Sequence, residues 1–312
     1  MKIGLALPNT HKVLANRGLL SRAAMKAEST GFSSIWVNDH IAVPDRLEKT
    51  DAGDRQSQYL DRRNQDIIES LVLIGYLSAL TSKIAIGTSV FGLPLRNPVV
   101  AAKQLGSLDH LSDSRLLLGV GLGWMREEYE ILNVPFKTRG RRVDEWLDVL
   151  KSLWSDDVAS FAGEFFAFRD AVMRPRPAEG AIPIWIGGRT EAGARRAARI
   201  GDAWHPSHFT VEELRNWIPT LRTYCAEAGR PEDQVEVTSR RRVRPGDAGT
   251  EDLDVERILG GPADRVLEGL GRLRDVGVSH MILELDTNDE DEFLDQVAWL
   301  GDMVVGPFGG PR

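Results

Sequence analysis

The sequence predicts an α/β fold, a (β/α)8 TIM barrel with insertions, built by residues 1–312 as a single domain. Three observations predict it. Short β-rich runs alternate with amphipathic helical runs from one end of the chain to the other. Eight such units fit in 312 residues, against about 250 residues for the plain fold, which leaves room for insertions. Connections from helix to next strand are short (Gly31-Phe32-Ser33, Ser82-Lys83, Gly201-Asp202). Those from strand to next helix are long, as in barrels that build their sites at the carboxyl ends of the strands.

The elements follow in order. The expected strands are Ile3–Leu7, Ser34–Asn38, Ile84–Val90, Leu116–Val120, Pro183–Ile186, Ala203–His205, Val235–Arg242 and Ser279–Leu285. Asn97 before Pro98 is an N-cap followed by proline at the first helical position. Thr210 with Glu213 forms a capping box, Gly261-Pro262 opens another helix, and Gly201 stops the one that follows Thr190. Residues 155–182 break the pattern. FAGEFFAF within them reads as a hairpin arm, an insertion covering part of the barrel.

Composition narrows the function. Lys plus Arg is 39 and Asp plus Glu is 46, a net charge of −7, with 42% hydrophobic and 27% charged residues. These proportions exclude a disordered chain, and the acidic balance disfavours nucleic acid as a partner. The first apolar run is too short for a signal-peptide core. Leu71 to Leu80, interrupted by Gly75, falls short of the roughly 20 residues of a membrane span. Cys225 is the one cysteine and cannot form an internal disulfide, so a cytoplasmic location is expected.

Chemistry is sought at the carboxyl ends of the strands: Asn9 and His11, Asp39-His40, Ser89-Val90, the Gly121-Leu122-Gly123-Trp124 stretch, Gly187 to Thr190, and Trp204-His205. His40 is the best acid/base candidate, because an imidazole titrates near neutrality. Its plainer role is a hydrogen bond to a loop carbonyl. Gly187-Gly188-Arg189-Thr190 fits a phosphate: glycines admit an anion to the backbone, the helix N-terminus attracts it, and Arg189 adds charge. The plainer reading there is a tight turn. GVGLGW fails the GxGxxG dinucleotide pattern at Trp124, so its glycines suit a flat backbone patch beneath a ring. His205-x-x-His208 has no carboxylate or cysteine cluster beside it, and no metal is expected. Arg240, Arg241, Arg242 and Arg244 form the sharpest charge cluster, read either as an anion site or, preferably, as solvated arginines paired with acidic helices.

The segments GFSSIWVNDHI, TSKIAIGTSVFGLPLRNPVVAAKQLGSLDHLSDSRLLLGVGLGW, RGRRVDEWLDVLKSLW, RPRPAEGAIPIWIGG and RRAARIGDAWHP occur in that order. Together they resemble the bacterial luciferase-like superfamily, and within it the branch that uses the deazaflavin coenzyme F420. The resemblance implies a barrel whose mouth carries the ring system. It implies His40 at the reactive ring as proton donor or acceptor, with Asp39 and Gly121 among the residues about the cofactor. It places Ser89-Val90 in a supporting bulge, often through a non-proline cis peptide, and Gly187, Gly188, Arg189 and Thr190 at the cofactor phosphate. The expected activity is hydride transfer between F420 and a small organic substrate. The alternatives are an FMN-dependent monooxygenase and a non-catalytic flavin binder. Trp124 and Trp204 would wall an apolar substrate pocket, and the loops Ala42–Gln65 and Arg244–Gly260 would set the substrate. A homodimer is expected, with the apolar helix IIESLVLIGYLSAL in its interface. Deazaflavin sugar-phosphate dehydrogenases carry a glutamate just after strand four, where this chain has Trp124-Met125-Arg126, with Glu127 and Glu128 shifted along. Their activity is therefore not carried over.

Overall fold

The computed structural model describes residues 1–10, 14–45, 66–246 and 257–308. Eight parallel strands close a ring: β1 (Lys2–Ala6), β2 (Ser34–Val37), β3 (Ala85–Thr88), β5 (Leu116–Gly121), β8 (Ile184–Gly187), β9 (Ala203–His205), β10 (Glu236–Pro245) and β12 (Val278–Leu285). Each pairs with the next in this order and β12 pairs back onto β1, so the predicted barrel is the observed one. The numbers skipped belong to short additions. β4 (Phe91–Gly92) pairs with β5, β6 (Ala159–Ala162) with β7 (Ala167–Ala171), and β11 (Ile258–Gly261) with the far end of β10.

The outer layer is α1 (Arg17–Ser29), α2 (Ser70–Ser78), α3 (Pro98–Leu111), α5 (Arg139–Ser155), α6 (Glu191–Ile200), α7 (Val211–Glu227), α8 (Ala263–Asp275) and α9 (Glu290–Leu300), with a short α4 (Arg126–Ile131) after β5. Their starts obey local chemistry. The Asn97 side chain accepts from the Val99 and Val100 amides, and the capping box of Thr210 and Glu213 is formed on both sides. The β6–β7 pair is the expected hairpin arm. It leans on α5, where the Glu145 carboxylate accepts the amides of Glu164, Phe165 and Phe166 and Trp146 meets both phenylalanine rings edge-on. No helix among the described residues is long and apolar enough to cross a membrane.

Two cores result. The larger lies between strands and helices, and a smaller one fills the ring itself with Trp36, Trp185, Ala6, Ala203 and Ile282. Trp36 fits there because Gly4 and Gly87 give way: a Cβ on either would come within 2.7 Å and 2.4 Å of its ring. Its indole donates to the Ser34 hydroxyl, which also meets His280 Nε2 at 2.8 Å. His280, read from the sequence as a structural residue at the foot of its strand, is 3% exposed. Burial, with Lys2 nearby, pushes its imidazole down to about 3.

A histidine held neutral when folded, but protonated below about pH 6.5 when unfolded, makes the unfolded state bind more protons. Stability therefore falls as pH drops below about 6.5, by about 1.4 kcal/mol per unit for each such histidine. His280→Gln should flatten the decline in urea-unfolding free energy between about pH 7 and about pH 5. An unchanged slope would mean that His280 carries a proton in the folded barrel.

Candidate active site

The mouth is organised by the chain that leaves β3. The Ser89–Val90 peptide is cis, the geometry that the resemblance implies at this position. The Ser89 amide donates to Val37 O at 2.8 Å, and the chain then re-enters the sheet as β4. Glycines on two neighbouring strands make room for this bulge. A Cβ on Gly119 would lie 1.9 Å from Thr88 O, one on Gly121 2.3 Å from Val90 Cγ2, and one on Gly187 2.9 Å from Val90 Cγ1. The sequence reading made Gly121 part of a flat patch under a ring. Its missing side chain makes room for the half-buried Val90, whose Cγ2 would lie 2.3 Å from a Cβ at this position.

The bulge is pinned from inside the barrel. The Ser89 hydroxyl meets His205 Nε2 at 3.1 Å, and His205 Nδ1 meets the Thr238 hydroxyl at 2.8 Å. His205 is 2% exposed. Burial, reinforced by the Arg240 charge, pushes its imidazole down to about 3, so it serves as a neutral strut. Strand alternation turns Ala203 and His205 inward and sends Trp204 outward, against Phe209 and Trp217. Trp204 is wholly buried there and is not a pocket wall. Trp124 is half-buried and stands edge-on to the His40 ring at 6.3 Å.

Asp39 and His40 follow β2 and point to different partners. The Asp39 carboxylate is fully buried. It accepts Arg96 through both oxygens at 2.8 Å, the Ser70 hydroxyl at 2.7 Å and the Gly92 amide at 2.7 Å. It thus ties β2, α2 and the β4 segment together, and what Asp39 can offer a ligand is its main chain. Arg96, absent from the sequence reading, also lies 4.0 Å over the Phe91 ring. Asn9 clips the neighbouring strand ends: its side chain accepts from the Asn38 amide and donates to Asn38 O and Ile68 O. His11 lies outside the described residues, as do much of the loops 42–65 and 244–260.

His40 Nδ1 is 3.1 Å from Glu128 Oε2, with side-chain exposures of 9% and 3%. Glu128 Oε1 accepts the amides of Ile41 at 2.7 Å and Ala42 at 3.3 Å. One buried carboxylate therefore fixes both the imidazole and the backbone that carries it. Glu128 comes from α4, a single short helix after β5. Sequence reading noted the glutamate only as displaced from an expected position. Its meeting with His40, 88 residues away, is a tertiary fact.

At the end of β8 the turn 187–190 runs into α6. Gly188 has φ +133°, a conformation that favours glycine, and its carbonyl accepts the Trp204 indole at 3.0 Å. Gly188 and Thr190 are exposed, and Thr190 occupies the N-cap position without spending its hydroxyl on a capping bond. Glu191 turns back to Arg195 at 2.8 Å. The Thr190 hydroxyl thus makes no capping bond at a helix N-terminus, where the opening amides of a helix have no intrahelical acceptor. Arg189 stacks 4.7 Å over Phe209 and pairs with Glu213 at 3.1 Å.

The arginine cluster corrects the sequence preference for solvated side chains. Arg240 is 8% exposed. It donates to Glu284 at 2.9 Å, to Asn38 Oδ1 at 2.7 Å and to Ser89 O at 3.3 Å, so it reaches across the mouth to the bulge. Burial pushes the Glu284 carboxyl up, but the Arg240 guanidinium beside it wins and holds it below the ordinary value. Arg241 faces the other way and is buried against Phe209 O.

Comparison with known proteins places this geometry. The family profile described as luciferase-like monooxygenase matches residues 1–255. The chain belongs to that family. A Mycobacterium tuberculosis (H37Rv) protein of uncharacterised activity is 36% identical over 211 residues, 66% of this chain and 71% of its own length. A Kineococcus radiotolerans relative, an F420-dependent glucose-6-phosphate dehydrogenase, is 30% identical over 227 residues, 71% of this chain and 62% of the relative. The FMNH(2)-dependent dimethylsulfone monooxygenase of Pseudomonas putida is 30% identical over 165 residues, 52% of this chain and 45% of the relative. The luciferase-like family thus holds both F420- and FMN-dependent members. Among solved structures, an F420-dependent secondary alcohol dehydrogenase in complex with an F420–acetone adduct superposes with a TM-score of 0.80 at 19% identity. The match covers 97% of this chain and 98% of that one, and it shows the shared fold.

Proposed function

We propose that this chain is an oxidoreductase that transfers a hydride between coenzyme F420 and a small organic substrate, with His40 exchanging the accompanying proton. The observation that carries the reading is the buried His40–Glu128 pair after β2, the strand next in the ring to β3, which runs into the Ser89–Val90 bulge. The residues present fit a ring with an anionic arm. Val90 sits where the glycines at 121 and 187 leave it room, a Cβ on either coming within 2.9 Å of its side chain, and an exposed turn with helix amides lies at the end of β8. When bound, F420 supplies two electrons as a hydride. The chain's part is orientation and proton movement. Val90 supports one face of the ring, and the backbone of Gly187 and Gly188 with Thr190 and the α6 amides holds the phosphate. With Nδ1 turned to Glu128, His40 Nε2 is the atom that hands a proton to the substrate oxygen or takes it away. A homodimeric, cytoplasmic enzyme is the setting of this reading, with exposed Val72 on the α2 face that pairing would cover.

The kinship to the dimethylsulfone monooxygenase favours FMN as the second reading. Fluorescence titration separates them: F420 is expected to bind at least about tenfold more tightly than FMN, and the reverse order would replace the first reading by the second. Glu128→Ala should lower substrate-linked turnover about tenfold to 10²-fold through loss of imidazole alignment, with F420 affinity kept. Turnover equal to the parent enzyme would remove Glu128 from the mechanism.

A further inference from the structure

A cavity of about 320 Å³ opens at the mouth between the ends of β1, β2, β10 and β12. In the eight-strand ring β1 stands diametrically across from β8, so this cavity lies on the far side of the mouth from the anion turn at 187–190. Arg240 lines it and also touches Ser89 O, so its wall is continuous with the bulge. Asn38, two residues before His40, lines it as well.

The wall carries an uneven charge ladder. Alternate residues of β10 present Arg240, Arg242 and Arg244 on one side, and alternate positions on and just after β12 present Glu284 and Asp286. Two rungs are filled: Arg240 with Glu284 at 2.9 Å and Arg244 with Asp286 at 2.6 Å. Arg242 is directly opposite Glu284 in the strand register, yet that carboxylate is turned to Arg240. Among the described residues Arg242 has no hydrogen bond and no ion pair, although it is half-buried and lines the cavity. Among the described residues, three cations against two anions leave one positive charge over, and Arg242 lines the cavity. A half-buried guanidinium is the side chain best matched to a planar or tetrahedral oxyanion, through paired N–H donors.

We propose that the substrate carries an oxyanion, a carboxylate or a phosphate, and that Arg242 binds it in this cavity. The proposal rests on the reading of the mouth as a redox site and deepens it: the anion end docks between β10 and β12, and the carbon to be oxidised or reduced is thereby presented at the bulge beside His40. A cavity of this size suits a small molecule. The occupant is a substrate group and not the cofactor's own phosphate, whose seat is across the ring.

The test uses the whole protein and three probes followed by calorimetric titration: succinate, inorganic phosphate and the uncharged 1,4-butanediol. F420 affinity is measured separately. Succinate or phosphate is expected to bind the parent protein, with F420 already present, at least about tenfold more tightly than the diol. Whichever anion binds better identifies the carboxylate or the phosphate as the preferred group. Arg242→Gln should weaken that binding about tenfold or more, while Arg244→Gln, a rim arginine that already has Asp286, changes it less than about threefold. F420 affinity should be unaltered in both. Anion binding that survives Arg242→Gln, or that is lost on Arg189→Gln instead, overturns the proposal. Anion binding that requires Arg242 in a protein that fails to bind F420 keeps the cavity assignment and removes the cofactor reading.

Discussion

Replacing His40 with glutamine is expected to cut turnover about 10²–10⁴-fold, with F420 affinity within a few-fold of the parent. Glutamine keeps a polar side chain of similar reach but cannot shuttle a proton. On the proposed reading Val90 would carry the ring and the turn 187–190 its phosphate, and both lie after other strands, so the substitution leaves them untouched. Glu128 retains the amides of Ile41 and Ala42 after the change, which limits damage to the fold. Bleaching of F420 on substrate addition measures turnover, and fluorescence titration measures binding. Turnover near the parent rate would show that the proton travels by another group.

Asp39→Ala, one residue earlier, should act on stability. The carboxylate is wholly buried and Arg96 is 11% exposed, so the substitution strands a guanidinium, an amide and a hydroxyl together. Removing one partner of a buried ion pair costs about 3–5 kcal/mol. Urea unfolding of the variant should report a loss in that range. Glu69, 39% exposed and 3.2 Å from the same guanidinium, is the alternative acceptor. A loss below about 1 kcal/mol would mean that Glu69 takes over and that Asp39 is dispensable to the fold.

The contrast between these neighbours shows where sequence reading stops. Asp39 and His40 could both be placed at a strand end, because an apolar run followed by polar residues marks where a buried strand emerges. Their division of labour depends on Arg96 and Glu128, brought in from 57 and 88 residues away. No local period encodes that. The eight strands were readable because strands buried on both faces are continuously apolar, as in SSIWV and RLLLGV. Trp204 was misjudged although the signal was present: in a three-residue strand whose ends face inward, the middle residue must face outward. Gly119 and Gly121 stand out in the sequence, but the bulge that needs their space belongs to a different strand, which no local pattern shows. The burial of Arg240 was hidden because arginine clusters are ordinarily solvated, and only its register against β12 supplies the carboxylate.

The charge ladder belongs to β10 and β12, while the bulge follows β3 and the turn 187–190 follows β8. On the proposed reading, retention of the redox group and choice of reactant would therefore be inherited through different stretches of chain. A single codon change at Arg242 would then alter what one wall binds without touching the residues of the turn after β8. On such a plan the reactant could change one residue at a time while the redox group kept its seat.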